Sequence, residues 1–272
     1  MSVSCLIASG KGGVGKSTVT AALGRALAQS GASVVIVDTD IGLRAQDALL
    51  GLENQVVYDL MDVLNGDCPL DQALLPVAEL PALSLLPAAQ FARAKSLEPR
   101  DFRIVLQSLK LNHDFVLIDC PAGIERGLRN VLNAGTDESI LIVTPDDIAM
   151  RDVERVAGIL EAKKLSRPRL IVNRLRADWI AAGEMYTART VADVLDLSLL
   201  GEIPEDPAVL RAMLRHASPL DFDCEFRAAV MRIAARLRGD KLPLPGIGSQ
   251  PLPWYRRIFR KQMKEMIPLD DH

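Results

Sequence analysis
Cysteine is scarce and scattered in this 272-residue chain: Cys5, Cys68, Cys120 and Cys224 form no C-x-x-C pair. There is no paired-thiol site or disulfide framework to build on, and with two of the four in or beside apolar runs they read as reduced core thiols. Positive charge is not in excess either, the formal net charge being -3. A nucleic-acid role would therefore need a local patch, and the one clustering, Arg211, Arg215, Arg227 and Arg232, reads as solvated helix positions. No apolar stretch approaches the ~18 residues of a membrane-spanning helix, and the first strand pattern starts directly after Met1-Ser2 with no leader-like segment, so the expectation is a cytoplasmic protein. Internal repeats are lacking, and low complexity is confined to one Pro/Gly-rich stretch near the end.

What is present is apolar residue in quantity, 49% of the chain, enough for one α/β domain with a substantial core. Short, nearly continuous apolar runs alternate with longer helical patterns, as in parallel strands covered on both faces. The runs predict strands at Val3 to Ser9, Ser33 to Asp38, Leu83 to Leu86, Phe115 to Asp119, Ser139 to Thr144, Leu170 to Asn173 and Leu199 to Ile203. A first helix is predicted from Lys16 to about Ser30, stopping at Gly31.

Between the first strand and the first helix lies Gly10-Lys11-Gly12-Gly13-Val14-Gly15-Lys16-Ser17-Thr18. This is a P-loop: its glycines let successive backbone N–H groups turn onto phosphate oxygens, Lys16 is placed for the β/γ-phosphates, and the Ser17 hydroxyl for Mg²⁺. ATP and Mg²⁺ are the ligands it predicts. A second lysine, Lys11, sits where an ordinary P-loop has no need of one. It reaches the same phosphates poorly from within its own chain, which suggests a lysine working across a dimer.

In an open parallel sheet, ligands gather at the carboxyl ends of the strands. After the second predicted strand comes Asp38-Thr39-Asp40-Ile41-Gly42-Leu43-Arg44, and after the fourth Asp119-Cys120-Pro121-Ala122-Gly123-Ile124-Glu125. Asp119, closing an apolar strand, is in the Walker B arrangement that supports Mg²⁺ through coordinated water. Asp38 and Ser17 complete the candidate metal set.

With these blocks, and with Val57-Tyr58-Asp59-Leu60, Leu86-Pro87-Ala88-Ala89-Gln90 and Gly201-Glu202-Ile203-Pro204-Glu205-Asp206, the chain resembles the MinD/ParA family of deviant Walker A ATPases almost from end to end, and most closely its septum-placing branch. The resemblance implies a three-layer P-loop NTPase with a mostly parallel twisted sheet over residues 1–238. It implies that Lys11 contacts the partner's nucleotide in an ATP-bound homodimer, and that Asp40 orients the attacking water. Two switches would sense the γ-phosphate, the first around Gly42 and Arg44, the second around Pro121 and Gly123. Asn173, Pro204 and Asp206 would hold the adenine. A division inhibitor resembling MinC and an activator resembling MinE, or another polar regulator, are the implied partners, docking on the helix with Arg151, Asp152, Glu154 and Arg155. The family pattern usually has asparagine after Arg44; Ala45 leaves the first switch a polar contact short and implies slower or differently triggered hydrolysis. A flagellar-number regulator and a DNA-partitioning ATPase are the other members of the group with related features.

Residues 239–253 are too rich in proline and glycine for a helix or central strand and read as a linker. Beyond it, Trp254, Tyr255, Ile258, Phe259, Met263, Met266 and Ile267 recur at helical spacing, with Arg256, Arg257, Arg260, Lys261 and Lys264 on the remaining arc. The span 254–268 thus predicts a basic amphipathic helix. Such a helix lies in the headgroup plane of an anionic membrane, each cation contributing roughly 1 kcal/mol near the surface. The protein is expected to sit reversibly on the inner face of the cell membrane.

Overall fold
The structure, a computed structural model, describes residues 2–90, 97–123, 126–163 and 166–248. The predicted tail helix lies outside the described residues, and so do Ile124 and Glu125 of the second switch block. Among the described residues no helix is long and apolar enough to cross a membrane.

The first half of the chain runs β1 (Val3–Ser9), α1 (Lys16–Gln29), β2 (Val34–Asp38), α2 (Gln46–Leu50), α3 (Leu60–Asn65), α4 (Leu70–Ala73), β3 (Leu75–Pro76) and β4 (Leu83–Leu86). It continues through α5 (Pro99–Asn112), β5 (Phe115–Asp119), α6 (Arg126–Ala134), β6 (Glu138–Val143) and α7 (Asp147–Ala162). The last part is β7 (Arg169–Leu175), α8 (Ala177–Ala182), α9 (Ala188–Leu195), β8 (Ser198–Pro204), α10 (Pro207–Leu214) and α11 (Glu225–Leu237). The strands form one sheet in the order β3-β4-β2-β5-β1-β6-β7-β8. Every pairing is parallel except that of β3 with β4.

The continuous apolar strands explain the layers. Leu6, Ala8, Val35, Val37, Val116 and Ile118 point into one core, where α5, α6, α7 and α9 contribute Phe102, Leu128, Val153 and Val191. Their alternates Cys5, Ile7, Val34, Ile36 and Leu117 meet α1 and α11 on the other face, with Leu23, Leu27, Val230 and Ile233. Burying each such side chain contributes roughly 1.5–3 kcal/mol. The result is the expected three-layer α/β sandwich. It places the carboxyl ends of β1, β2 and β5, neighbours in the sheet, along one edge of the molecule.

Candidate active site
Helix α1 lacks both a side-chain cap and a first-turn carboxylate, whereas α2, α4, α5 and α8, also without a side-chain cap, each carry an aspartate in the first turn. α3, α7, α9 and α10 each begin with a side-chain cap, from Asp59, Asp146, Thr187 and Asp206. The N-cap of α1 is Gly15. A helix start left without a carboxylate or hydroxyl presents its amide donors and positive dipole end to an anion. Gly15 is left-handed at φ 89, and a Cβ there would meet Asn173 Nδ2 at 2.5 Å, so both conformation and space require glycine. Asn173 in turn donates to the Val14 carbonyl at 2.8 Å, bracing the loop from β7.

Beneath the loop lies a buried charged cluster. Asp38 and Asp119 are directly paired across the β2–β5 ladder, and both are fully buried. Lys16 Nζ donates to Asp119 Oδ1 at 2.6 Å and to Ser17 Oγ at 3.2 Å. Gln46 Nε2 donates to Asp119 Oδ2 at 2.7 Å and to the Ser17 carbonyl at 3.1 Å, while Thr20 Oγ1 reaches Asp119 Oδ1 at 3.3 Å. Asp38 accepts the backbone N–H of Asp40 at 2.9 Å and of Gln46 at 3.1 Å. The second of these serves the start of α2, whose N-cap, Ala45, has no side-chain acceptor to offer.

Burial, and then the neighbouring Asp119 carboxylate, push the Asp38 carboxyl up to about 7. Two buried carboxylates with one lysine, bonded to Asp119, are short of positive charge. Gln46 Oε1 is moreover a buried acceptor with no donor among the described residues. The chemistry of these side chains fits a divalent cation beside the phosphate loop, and Ser17, Asp38 and Asp119 are the residues that could hold it. Burial pushes the neighbouring Cys120 thiol up to about 12, which keeps it protonated.

Lys11 stands at the mouth of the loop and pairs with Asp146 at 3.0 Å, the two side chains 35% and 46% exposed. Asp146 is the N-cap of α7: it accepts from Ala149 N at 2.9 Å and from the Thr144 hydroxyl at 2.6 Å. Burial alone would raise its carboxyl, but these donors and Lys11 hold it below the usual carboxylate range. Gly10 touches α7 as well, since a Cβ on it would lie 2.3 Å from the Asp152 carbonyl carbon. Loop and helix therefore meet directly.

The remaining predicted residues are spread around this centre. Asp40 follows Asp38 at the rim; Gly42 donates its N–H to the Ala89 carbonyl, and Arg44 pairs with Asp47 at 2.7 Å. Gly123 N–H bonds the Ser9 carbonyl at 2.9 Å, which brings the second switch against the end of β1. Pro204 ends β8, and Asp206 caps α10 by accepting from Ala208 N and also from Phe226 N. Sequence reasoning missed Gln46, Thr20 and Asp146. Gln46 and Thr20 carry no signal outside a folded chain, whereas Asp146, three residues before Ala149 at a helix start, fits an N-cap pattern.

Residues 5–220 match the family described as the CobQ/CobB/MinD/ParA nucleotide binding domain. The chain is 41% identical over 254 residues to the septum site-determining protein MinD of Bacillus subtilis, covering 92% of this chain and 94% of that protein. It is 42% identical over 260 residues to a putative MinD of Guillardia theta, covering 93% and 96%. Its fold matches MinD in the MinC:MinD cell division complex of Aquifex aeolicus with TM-score 0.83 and 35% identity, over 90% of this chain and 99% of that one. MinD of Pyrococcus horikoshii complexed with Mg-ADP matches with TM-score 0.76 and 31% identity, over 89% and 100%. The uncapped phosphate loop, the buried lysine and carboxylates beneath it and this likeness agree: the chain belongs to the CobQ/CobB/MinD/ParA nucleotide binding family, as a division-site ATPase of its MinD branch.

Proposed function
We propose that the chain is an ATP-driven membrane switch: two copies close around two ATP molecules, and the pair, held on anionic lipid by two tails, recruits a division inhibitor of the MinC kind. The observation that carries the nucleotide half of this reading is the cluster of Lys16, Asp119, Asp38 and Gln46 under an uncapped helix start. Mg²⁺, when bound, neutralises phosphate charge. Lys16 exchanges its Asp119 contact for phosphate oxygens, Asp40 orients the attacking water, and Lys11 leaves Asp146 for the partner's phosphates. Asn173 and the Pro204 to Asp206 loop border the adenine.

The tail supplies the membrane half. One amphipathic helix with the face Trp254, Tyr255, Ile258, Phe259, Met263, Met266 and Ile267 and the cations Arg257 and Lys261 binds weakly; two on one dimer gain about 10² to 10⁴ in avidity. Loss of the γ-phosphate opens the dimer and returns both copies to solution. Regulators of the MinC and MinE kinds fit the α7 face, where a groove of about 280 Å³ between α7 and α9 is lined by Asp147, Met150, Arg151, Glu154, Val194 and Leu195. The solved MinC:MinD complex supports the first of these partners. Sedimentation with anionic vesicles or with plain duplex DNA, each with ATP or ADP, tests the reading. Pelleting with lipid and ATP alone is expected; DNA retention without lipid binding refutes it.

A further inference from the structure
Helix α11 ends at Leu237, and the chain from Gly239 to Gly248 forms neither helix nor strand, yet it is fastened to the domain. Arg236 donates from Nε to the Leu242 carbonyl at 3.0 Å, from Nη2 to the Pro243 carbonyl at 2.5 Å, and from Nη1 back to the Leu200 carbonyl of β8 at 3.1 Å. Glu202, a buried carboxylate of the same strand, accepts the N–H groups of Gly246 at 3.1 Å and Ile247 at 2.7 Å. Ile247 packs against the core, and Gly248 lies on α8 with no room for a side chain: a Cβ there would be 2.7 Å from Ile180 Cγ2. The segment is thus a strap along the edge strand β8, and it delivers the chain to α8.

Five residues lie between Gly248 and Trp254, and the six steps of chain span at most about 22 Å. Whatever surface receives the tail must therefore lie close to α8. The neighbour of Ile180 in that helix is Trp179, 43% exposed, with the Arg176 guanidinium 4.2 Å from its ring centroid. Tyr186, in the loop that follows α8, is likewise partly exposed. Arg176 is paired with Asp178 at 2.7 Å and also feels Glu205, and exposed Glu184 stands between Trp179 and Tyr186 in the sequence, so the corner has no excess of positive charge and what it offers is ring surface. An amphipathic indole next to the exit of a membrane tail is suited to the headgroup layer.

We propose that this α8 corner, led by Trp179, is a second membrane contact, made by the ATPase body itself and brought to the bilayer by a tail exit that Arg236 and Glu202 fix at Gly248. The inference rests on the ATP-dependent membrane binding proposed above. The contact sets which way the bound ATPase faces the lipid, which a freely jointed linker would leave undetermined.

The chain has two tryptophans, Trp179 in the body and Trp254 in the tail, so Trp254→Phe, read at vesicle concentrations high enough that this variant pellets, leaves Trp179 as the only indole fluorophore. With ATP and anionic vesicles whose acyl chains carry bromine, Trp179 emission should shift to the blue and be quenched, and should do neither with ADP or without vesicles. A protein that pellets with vesicles while Trp179 emission stays unchanged overturns the inference. The same shift with ATP and no lipid also overturns it, because the tail or the partner copy then covers the ring. In the otherwise unaltered chain, Trp179→Ala should weaken vesicle partitioning by roughly tenfold, the effect of taking the exposed part of an indole out of water. Nucleotide binding should be unchanged; partitioning equal to that of the parent overturns the inference. If the parent itself fails to pellet with ATP, the membrane switch falls and takes the second contact with it.

Discussion
The ion pair of Lys11 with Asp146 competes with the dimer in which Lys11 is proposed to act, and Asp146→Asn separates the two. Asparagine caps a helix as well as aspartate does, so its side-chain oxygen keeps the 2.9 Å bond from Ala149 N while the charge holding Lys11 is gone. Both side chains are more than a third exposed, so solvent screens the pair and limits it to about 0.2–1 kcal/mol. Closing a dimer breaks two such pairs, about 0.4–2 kcal/mol, and the variant should therefore dimerise about two- to thirtyfold more tightly with a non-hydrolysable ATP analogue. Sedimentation equilibrium at several protein concentrations measures this. The gain should shrink as salt is raised from about 0.05 to 0.5 M, because the screening length shortens. Weaker dimerisation in Asp146→Asn would refute the reasoning, since it would mean that Asp146 supports the interface instead of withholding Lys11 from it.

Gly10→Ala should cost about 1–3 kcal/mol of stability, read as a lower melting temperature, and weaken nucleotide binding, because its Cβ would press on the backbone of Asp152 and Val153. Gly12→Ala, with nothing within 4 Å of its Cβ, should leave stability unchanged; equal losses in both would discard the packing argument. Lys16→Met strands the buried Asp119 carboxylate beside Asp38 and should cost about 3–5 kcal/mol in a nucleotide-free urea melt, against no measurable change if the cluster is not coupled to the fold. Asp137 ties Ser4 and Lys110 together: burial works to raise its carboxyl, but Lys110 and the N–H and hydroxyl of Ser4 outweigh it and hold it low. A carboxyl depressed in the native state stabilises above the unfolded value of about 3.9 and loses that contribution as pH falls through its native one. Asp137→Asn should accordingly be less stable than the parent at pH 7, with the gap closing below about pH 4 in acid titrations followed by circular dichroism.

Much of the fold was legible because strands buried on both faces spell themselves out, as Val34-Val35-Ile36-Val37 does in β2. β3 was not. It is two residues, one of them Pro76, and it becomes a strand only because β4 presents an edge for antiparallel pairing. β7 runs two residues past its predicted end because Arg174 takes φ 59 and the pairing with β8 shifts register there, which no periodicity reveals. In the site, the residues that follow strands were readable, since strand ends in a parallel sheet converge. Gln46 was not, because its link to Asp119 spans 73 residues and depends on α2 folding over the loop. Proline and glycine content described residues 239–248 as a linker and concealed their fastening. Glu202, a carboxylate in the apolar run of β8, was the available signal that something nearby must supply donors.

The account turns on Lys11 acting on the partner's nucleotide, and mass photometry of Lys11→Ala beside the parent, each saturated with ATP and Mg²⁺, tests that directly. The parent should shift from monomer to dimer, and Lys11→Ala should bind ATP yet stay monomeric. A Lys11→Ala protein that pairs as readily as the parent would contradict the account.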